Sequence, residues 1–167
     1  MSCNYRIGNG VDVHPLVSGR KLILGGIHIN HDYGCDGHSD GDVLIHSIID
    51  ALLGALGQGD LGDYFPSSND KYKNADSLDL LHQIYNTYFS LDNTLEWSII
   101  NIDSTIILQT PILKPYIGAM KKNLSTCLKS VVENISIKAT TTDHLGFIGE
   151  KKGIAVITTC LIEKFDG

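Results

Sequence analysis

Asp42-Val-Leu-Ile-His-Ser-Ile-Ile-Asp-Ala-Leu-Leu-Gly-Ala-Leu56 carries the pattern from which the fold can be read. Ile45, Ile48, Ile49, Leu52, Leu53 and Leu56 keep the period of an α-helix, which predicts a helix from about Asp42 to Leu56. Ser39, with Asp42 three residues on, fits a capping-box-like start. On the N-terminal side, residues 5–13 and 21–29 read as strands, with Ser18 and Gly19 supplying the turn between them. On the C-terminal side, residues 57–74 are rich in Gly, Asp, Ser and Asn, hold Pro66 and read as a loop. A helix follows from about Asp76 to Phe89, and Trp97–Leu108 alternates and is β-branched, hence a strand. A third helix is expected over roughly Leu113–Val132, with Pro111 and Pro115 near its start. Two last strands, about 135–139 and 153–163, flank a polar loop. Helices falling irregularly between strands argue for an α+β two-layer domain rather than a doubly wound sheet.

The chain has 167 residues and 43% hydrophobic content, enough for one compact domain with a core. Its net charge is -6 and it has no long run of Lys or Arg, which argues against binding long polyanions. A small anion remains accessible where a metal or a helix N-terminus supplies local positive charge. Cys3, Cys35, Cys127 and Cys160 are widely spaced and form no Cys-x-x-Cys pair, so they read as free thiols in a reducing compartment. No apolar run approaches the ~20 residues needed to cross a bilayer, and Met1 to Asn4 is too short for a targeting segment. The expectation is a soluble, cytoplasmic protein, a reading that a trimmed plastid-type organellar form would share.

Asp12-Val13-His14 ends the first strand, and alternation puts Asp12 and His14 on one face, roughly 6–7 Å apart. A carboxylate and an imidazole there suit Zn²⁺. His46 sits in the otherwise apolar helix with Asp42 and Asp50 one turn before and after it. One of those carboxylates is expected to orient the imidazole, as is usual for a metal-bound His. The alternative is a partly buried His46 paired with Asp50, with Asp42 serving the helix dipole. Together Asp12, His14 and His46 make three ligands and leave one position open, as in catalytic zinc sites. Thr140-Thr141-Thr142-Asp143 follows a strand, and its hydroxyls and carboxylate suit phosphate oxygens and a hard cation such as Mg²⁺, or form an ordinary threonine-rich loop. Cys35 near His38 has no evident orienting third group, and Gly8-x-Gly10 lacks the third glycine of a dinucleotide fingerprint.

Several stretches, in order along nearly the whole chain, closely resemble the 2-C-methyl-D-erythritol 2,4-cyclodiphosphate synthase family. They begin with Arg6-Ile7-Gly8-x-Gly10-x-Asp12-x-His14, Leu24-Gly25-Gly26 and His38-Ser39-Asp40-Gly41-Asp42-Val43-x-x-His46. They continue through Asp50-Ala51-Leu52-Leu53-Gly54-Ala55, Gly59-Asp60-x-Gly62, Phe65-Pro66, Ala75-Asp76-Ser77 and Lys138-Ala139-Thr140-Thr141-Thr142. They close with Leu145-Gly146-Phe147 and Gly153-Ile154-Ala155.

The resemblance implies one α/β-sandwich domain over residues 1–167 with a mixed sheet, assembling as a homotrimer with active sites between subunits. It implies one Zn²⁺ per subunit on Asp12, His14 and His46, and transition-state stabilisation by His38 and Thr141. Ser39, Asp60, Leu61 and Gly62 would contact the methylerythritol phosphate, beside the zinc ligands Asp12 and His14. Phe65, Pro66, Ser67, Ser68 and Asn69 would line the sugar-alcohol side. Leu108, Gln109, Thr110, Pro111, Ile112, Leu113 and Lys114 would hold the cytidine diphosphate with Thr140, Thr141, Thr142 and Asp143, and Phe147 and Glu150 would join the substrate site. Asp143 would carry a second cation, Mg²⁺ or Mn²⁺. The implied reaction releases CMP and forms a cyclic diphosphate. The chain departs from the family pattern at Ile112 and Leu113, where a Lys is common after the proline. It also departs at Ser67 for Asp, Glu150 for a basic residue and Asp143 for Glu. A metal-dependent phosphoester hydrolase is the competing enzyme reading, and a trimeric metal-retaining scaffold the non-enzyme one.

Overall fold

Asp42 is itself the N-cap of the first helix: its Oδ1 accepts from the Ile45 amide at 3.1 Å. The expected Ser39–Asp42 capping box is therefore absent, because Ser39 Oγ accepts instead from the Gly41 amide at 3.3 Å. The helix, α1 (Val43–Leu56), ends at Gly57, whose φ of 71° is left-handed and lets its N–H reach the carbonyls of Gly54 and Leu53. All of α1 except Asp50 and Gly54 is buried. A helix apolar on so many sides has to be packed on several of them.

The computed structural model describes residues 4–89 and 96–165, so Cys3, expected as a free thiol, and all but the last residue of Met1–Asn4 lie outside them. The main sheet is mixed and contains β1 (Tyr5–Ser18), β4 (Tyr33–Cys35), β5 (Trp97–Ile107), β6 (Ile135–Thr140) and β7 (Gly153–Lys164), in the order β4-β1-β7-β5-β6. Every neighbouring pair is antiparallel except β5 and β6, which are parallel. Their crossover is α4 (Ile117–Cys127), since parallel neighbours need a long connection. α1 lies on β1, β7 and β5, α4 lies on β6, and α3 (Ser77–Tyr88) packs against both helices. On the other face, Tyr5, Ile7, Val11, Val13 and Ile157 are exposed.

The expected strand 21–29 is instead two short strands, β2 (Leu22–Leu24) and β3 (Ile27–Ile29), that pair with each other and not with β1. Gly25 and Gly26, with φ of 59° and 70°, break the run. β1 meanwhile continues past residue 13 to Ser18 and pairs there with β4, which lies in an unassigned stretch. The helix expected over Leu113–Val132 shortens to α4. Lys114 precedes Pro115 and is biased away from helical geometry, and Lys129 with φ of 46° stops the far end. The presumed loop 57–74 contains the short α2 (Leu61–Tyr64), and the polar loop before β7 contains α5 (Gly146–Gly149).

Helix and sheet meet with no side chain between them at two points. A Cβ on Gly8 would lie 1.8 Å from the Ala51 carbonyl oxygen, and one on Gly10 would lie 2.0 Å from that of Ser47. Beside this contact the buried hydroxyls of Ser47, Thr158 and Ser104 form a chain at 2.8 Å per step, joining α1, β7 and β5. Cys35, Cys127 and Cys160 are free thiols. No helix among the described residues is long and apolar enough to cross a membrane.

Replacing Gly10 by Ala forces a methyl group into the helix backbone. The expected loss is about 1–3 kcal/mol or more, as for other overpacked cores, read as a lower midpoint in urea unfolding with an unchanged slope.

Candidate functional site

Asp12 and His14 follow Gly8 and Gly10 on the helix-facing side of β1, so the close approach that the glycines permit brings His46 of α1 onto them. Asp12 Oδ2 lies 2.9 Å from His14 Nε2 and 3.1 Å from His46 Nδ1. One ligand atom from each residue lies within 4.8 Å of the others, as one shared ion requires. The far ring nitrogens are committed elsewhere. His14 Nδ1 donates to the Asp36 carbonyl at 2.5 Å. His46 Nε2 faces the hydroxyls of Ser39 and Ser77, each at 3.0 Å. The expected orienting carboxylates are not there. Asp42 Oδ2 accepts from the Gly26 amide at 2.7 Å and Asp50 Oδ1 from the Leu61 amide at 2.8 Å, so neither touches His46. This removes both the Asp42/Asp50 orienting role and the alternative His46–Asp50 pair.

With the outer nitrogens donating, two imidazole lone pairs and an anionic oxygen converge on one point. Such a set needs a cation among its members, and a mixed N/O donor set is one that divalent transition metals accept. Three acceptors without a bridging positive charge would repel, so the residues fit a metal ion. Without metal, protons take its place. Burial would raise the Asp12 pKa, but hydrogen bonds from His14 and His46 outweigh it and hold the carboxyl well below its usual range. Burial would lower that of His14, but the bond to Asp12 and its charge leave it raised above 6.5.

A cavity of about 220 Å³ opens beside the triad, lined also by His38, Ser39, Leu61, Gly62, Phe65 and Ser67, with Tyr72 and Leu80. A second cavity of about 420 Å³ is lined by Leu108, Gln109, Pro111, Ile112, Leu113 and Lys114, with Ile117, Lys138, Ala139, Thr140 and Thr141. The two share no lining residue. Around the second, the Leu108 amide donates to the Thr140 carbonyl at 2.9 Å, and the His144 amide to Gln109 Oε1 at 3.2 Å. These bonds hold the two predicted loop segments side by side.

The YgbB family profile matches residues 5–163. The chain belongs to that family. It is 52% identical over 157 residues, covering 94% of this chain and 95% of the relative, to the 2-C-methyl-D-erythritol 2,4-cyclodiphosphate synthase of Clostridioides difficile. A solved structure of IspF from Plasmodium falciparum in complex with CDP has a TM-score of 0.83 at 35% identity, covering 99% of this chain and 100% of that one. The bifunctional IspDF from Campylobacter jejuni has a TM-score of 0.90 at 42% identity. There 99% of this chain is covered but only 44% of the longer one.

In this YgbB-family chain the sequence-derived residues divide between the cavities. His38 joins the metal cradle, whereas Thr141 lines the second cavity. Asp60, Pro66, Ser68, Asn69, Thr110, Thr142, Asp143, Phe147 and Glu150 line neither. Asp60 caps α2 in a capping box with Asp63, and Asn69 caps the short turn that follows. Thr142 Oγ1 donates to the Leu145 carbonyl at 2.8 Å, and Glu150 pairs with Lys152 at 2.6 Å on the surface. Thr141 Oγ1 lies 3.4 Å from Asp143 Oδ1. Lys138, to which the sequence attaches no role, lines the second cavity alongside Lys114 and pairs with Asp103. Also without a predicted role were Ser77, Asp40 and Arg20. The Arg20 guanidinium donates to the carbonyls of Cys35, Gly37 and Ser39, at 3.2, 2.9 and 2.9 Å, and so holds the loop that carries His38. Its alternating carbonyl targets give no sequence signal. Burial pushes the Cys35 thiol up to about 12, which removes it as a nucleophile.

Metal must displace a proton from His14, whose pKa is raised, so protons compete from a pH above 6.5 downward. Apparent metal affinity of the metal-free protein should fall as pH is lowered through that range, measured by chelator competition. His46→Ala should lose tight binding at every pH.

Proposed function

We propose that this chain converts 4-diphosphocytidyl-2-C-methyl-D-erythritol 2-phosphate into 2-C-methyl-D-erythritol 2,4-cyclodiphosphate and CMP, within the non-mevalonate route to isoprenoid precursors. The observation that carries this reading is the cation-demanding Asp12–His14–His46 cradle opening into a cavity with His38, in a chain of the YgbB family. An oxygen of the substrate's 2-phosphate forms a bond to the β-phosphorus, the bond from that phosphorus to the bridging oxygen breaks, and CMP leaves with the electron pair. No water is consumed and no protein nucleophile is required, so catalysis rests on positioning and charge neutralisation.

Asp12, His14 and His46 would hold one Zn²⁺ per subunit, leaving a position for a phosphate oxygen. When bound, the ion supplies Lewis-acid neutralisation of phosphate charge. His38 would donate to an oxygen on the metal side, and Thr141 to one on the nucleotide side. Asp143, with Mg²⁺ or Mn²⁺, would serve the diphosphate. Leu108–Lys114 would take the cytidine end, with Lys114 lining that cavity in place of the family's Lys after the proline and Lys138, paired with Asp103, beside it. Leu61, Gly62, Phe65 and Ser67 would face the sugar alcohol.

The whole chain, 1–167, would work as one synthase domain in the cytoplasm, assembled as a homotrimer. Two facts support assembly: the apolar sheet face left exposed in one chain, and the separation of the metal cavity from the second cavity. Packing through that face would let the metal cavity of one subunit meet the second cavity of the next. Light scattering should give a mass near three times the 18.2 kDa chain, and a fully active monomer would overturn the shared site.

Incubation with the cytidyl substrate and Mg²⁺, followed by ³¹P NMR, should show a cyclic diphosphate together with CMP. A linear product would mean hydrolysis, and release of no CMP would mean a binding protein. Thr141→Val and His38→Ala should each lower kcat on the order of 10²–10³-fold with KM little changed, as for loss of one donor to developing charge. A raised KM with unchanged kcat would make both residues simple binding groups.

A further inference from the structure

We propose that Ser77 and Asp40 are positioning residues for the metal centre, fixing His46 in the one neutral form that turns a bare Nδ1 toward Asp12 and His14. The inference rests on the metal reading of that cradle. Three distances carry it. His46 Nε2 lies 3.0 Å from Ser77 Oγ, and Ser77 Oγ donates to Asp40 Oδ1 at 2.5 Å. The Ser77 amide donates to Asp40 Oδ2 at 3.1 Å.

Proton counting gives the direction. Asp40 Oδ1 also accepts from the Asp42 amide at 3.1 Å, so both carboxylate oxygens face fixed N–H donors and act as acceptors. The single hydroxyl proton of Ser77 is therefore committed to Asp40. Toward His46 it offers only lone pairs, and Nε2 must carry the proton. A neutral imidazole with its proton on Nε2 has an unshared pair on Nδ1, and a metal needs that pair. Ser39 cannot make this choice alone. Its Oγ accepts from the Gly41 amide and its own proton can turn to Ser77 Oγ at 3.5 Å or to His46, so it can face either tautomer.

The relay is held at both ends. Ser77 is fully buried and opens α3, which is capped by Asp76. The loop before α3 is bonded to the loop before α1 through Asn74 N to His38 O at 2.9 Å and Asp40 N to Ala75 O at 3.0 Å. This assigns a role to the Ala75-Asp76-Ser77 segment, which lines neither cavity. It also assigns one to Asp40, the carboxylate of the 36–42 segment that reaches His46 through a single hydroxyl.

Changing Asp40 to Asn places an amide NH₂ against either the Ser77 amide or the Ser77 hydroxyl. The first loses a bond. The second turns the hydroxyl proton toward His46 and favours the wrong tautomer, the fault that an Asp-to-Asn change produces in the serine-protease triad.

The test measures zinc affinity by chelator competition for wild type, Ser77→Ala and Asp40→Asn, with ¹⁵N shifts of His46 in the zinc-loaded protein, where no proton bridges Nδ1 and Asp12. Both variants should bind zinc about 10–100-fold more weakly, the usual effect of removing a partner of a metal-bound His, while metal-free thermal midpoints move far less. Wild-type His46 should show the proton on Nε2. Wild-type affinity in Ser77→Ala, or an Nδ1–H tautomer in the wild type, would overturn the inference. If neither variant folds, the wild-type tautomer alone decides. Absence of zinc binding by the wild type would instead sink the metal reading itself, a separate failure.

Discussion

The contact between the backbone of α1 and the backbone of β1 is the constraint on which the rest of the structure depends. Ordinary residues at positions 8 and 10 would hold helix and strand apart by a layer of side chains, because a Cβ at either glycine would fall within 2.0 Å of a helix carbonyl oxygen. Without that layer, His46, one residue before the Ser47 contact and five before the Ala51 contact, can share an ion with two strand residues. His46 reaches Asp12 at 3.1 Å for this reason. The same approach accounts for the burial of α1, and the Ser47–Thr158–Ser104 hydroxyls fix its position along the sheet at three elements. Glycines that fail a dinucleotide fingerprint are here packing devices whose product is a metal cradle.

Around that cradle, polar groups are assigned with little redundancy. Asp42 has two jobs, capping α1 and tying down the β2–β3 turn through Gly26, and its full burial raises its pKa to about 6 despite those bonds. Asp50 receives the start of α2. Arg20 is spent on three carbonyls of the 35–39 loop, whose Asp36 carbonyl in turn fixes His14. Arg20, the one cation among these three groups, is bonded to loop carbonyls, and the carboxylates of Asp42 and Asp50 are turned away from the triad, which keeps its demand for a cation. Structural and chemical roles are thus separated residue by residue.

Local periodicity was legible where one rule dominates. The apolar repeat of Asp42–Leu56 located α1, and strand alternation put Asp12 and His14 on one face; the structure then brings His46 to them. Boundaries failed where a second rule competes. Paired glycines with positive φ split the 21–29 strand, and Pro115 together with the left-handed Lys129 trimmed the third helix. The partners of His46 were misread because carboxylates one helical turn away look adjacent in sequence, yet their oxygens are consumed as caps. The groups that face His46 Nε2 are the hydroxyls of Ser39 and Ser77, and Ser77, 31 residues distant, is announced by no local pattern. Family resemblance supplied the motif that contains Ser77 without saying why a serine is there.

The division of polar and charged groups between the two cavities bears on how a polyphosphate could be bound by a chain of net charge -6. Among its described lining residues the metal cavity has no Lys or Arg and does have a carboxylate held ionised, so alone it would repel an anion. The second cavity has Lys114 and Lys138, the latter paired with Asp103, but no ligand set for a transition metal among the described residues. At about 220 and 420 Å³, each sits near or below the lower end of the range usual for small-molecule sites. A cytidine diphosphate ester of a sugar alcohol has three parts with different needs: a flat base, a dense anionic centre and a polyol. The anionic centre is best placed where a metal on one side and lysines with threonine hydroxyls on the other can share its charge. One chain keeps the two cavities apart, and the proposed assembly is what would bring a metal cavity and a second cavity together. In the proposed assembly, burying the exposed Ile7, Val11 and Ile157 on the far sheet face would help offset the entropy of bringing the copies together.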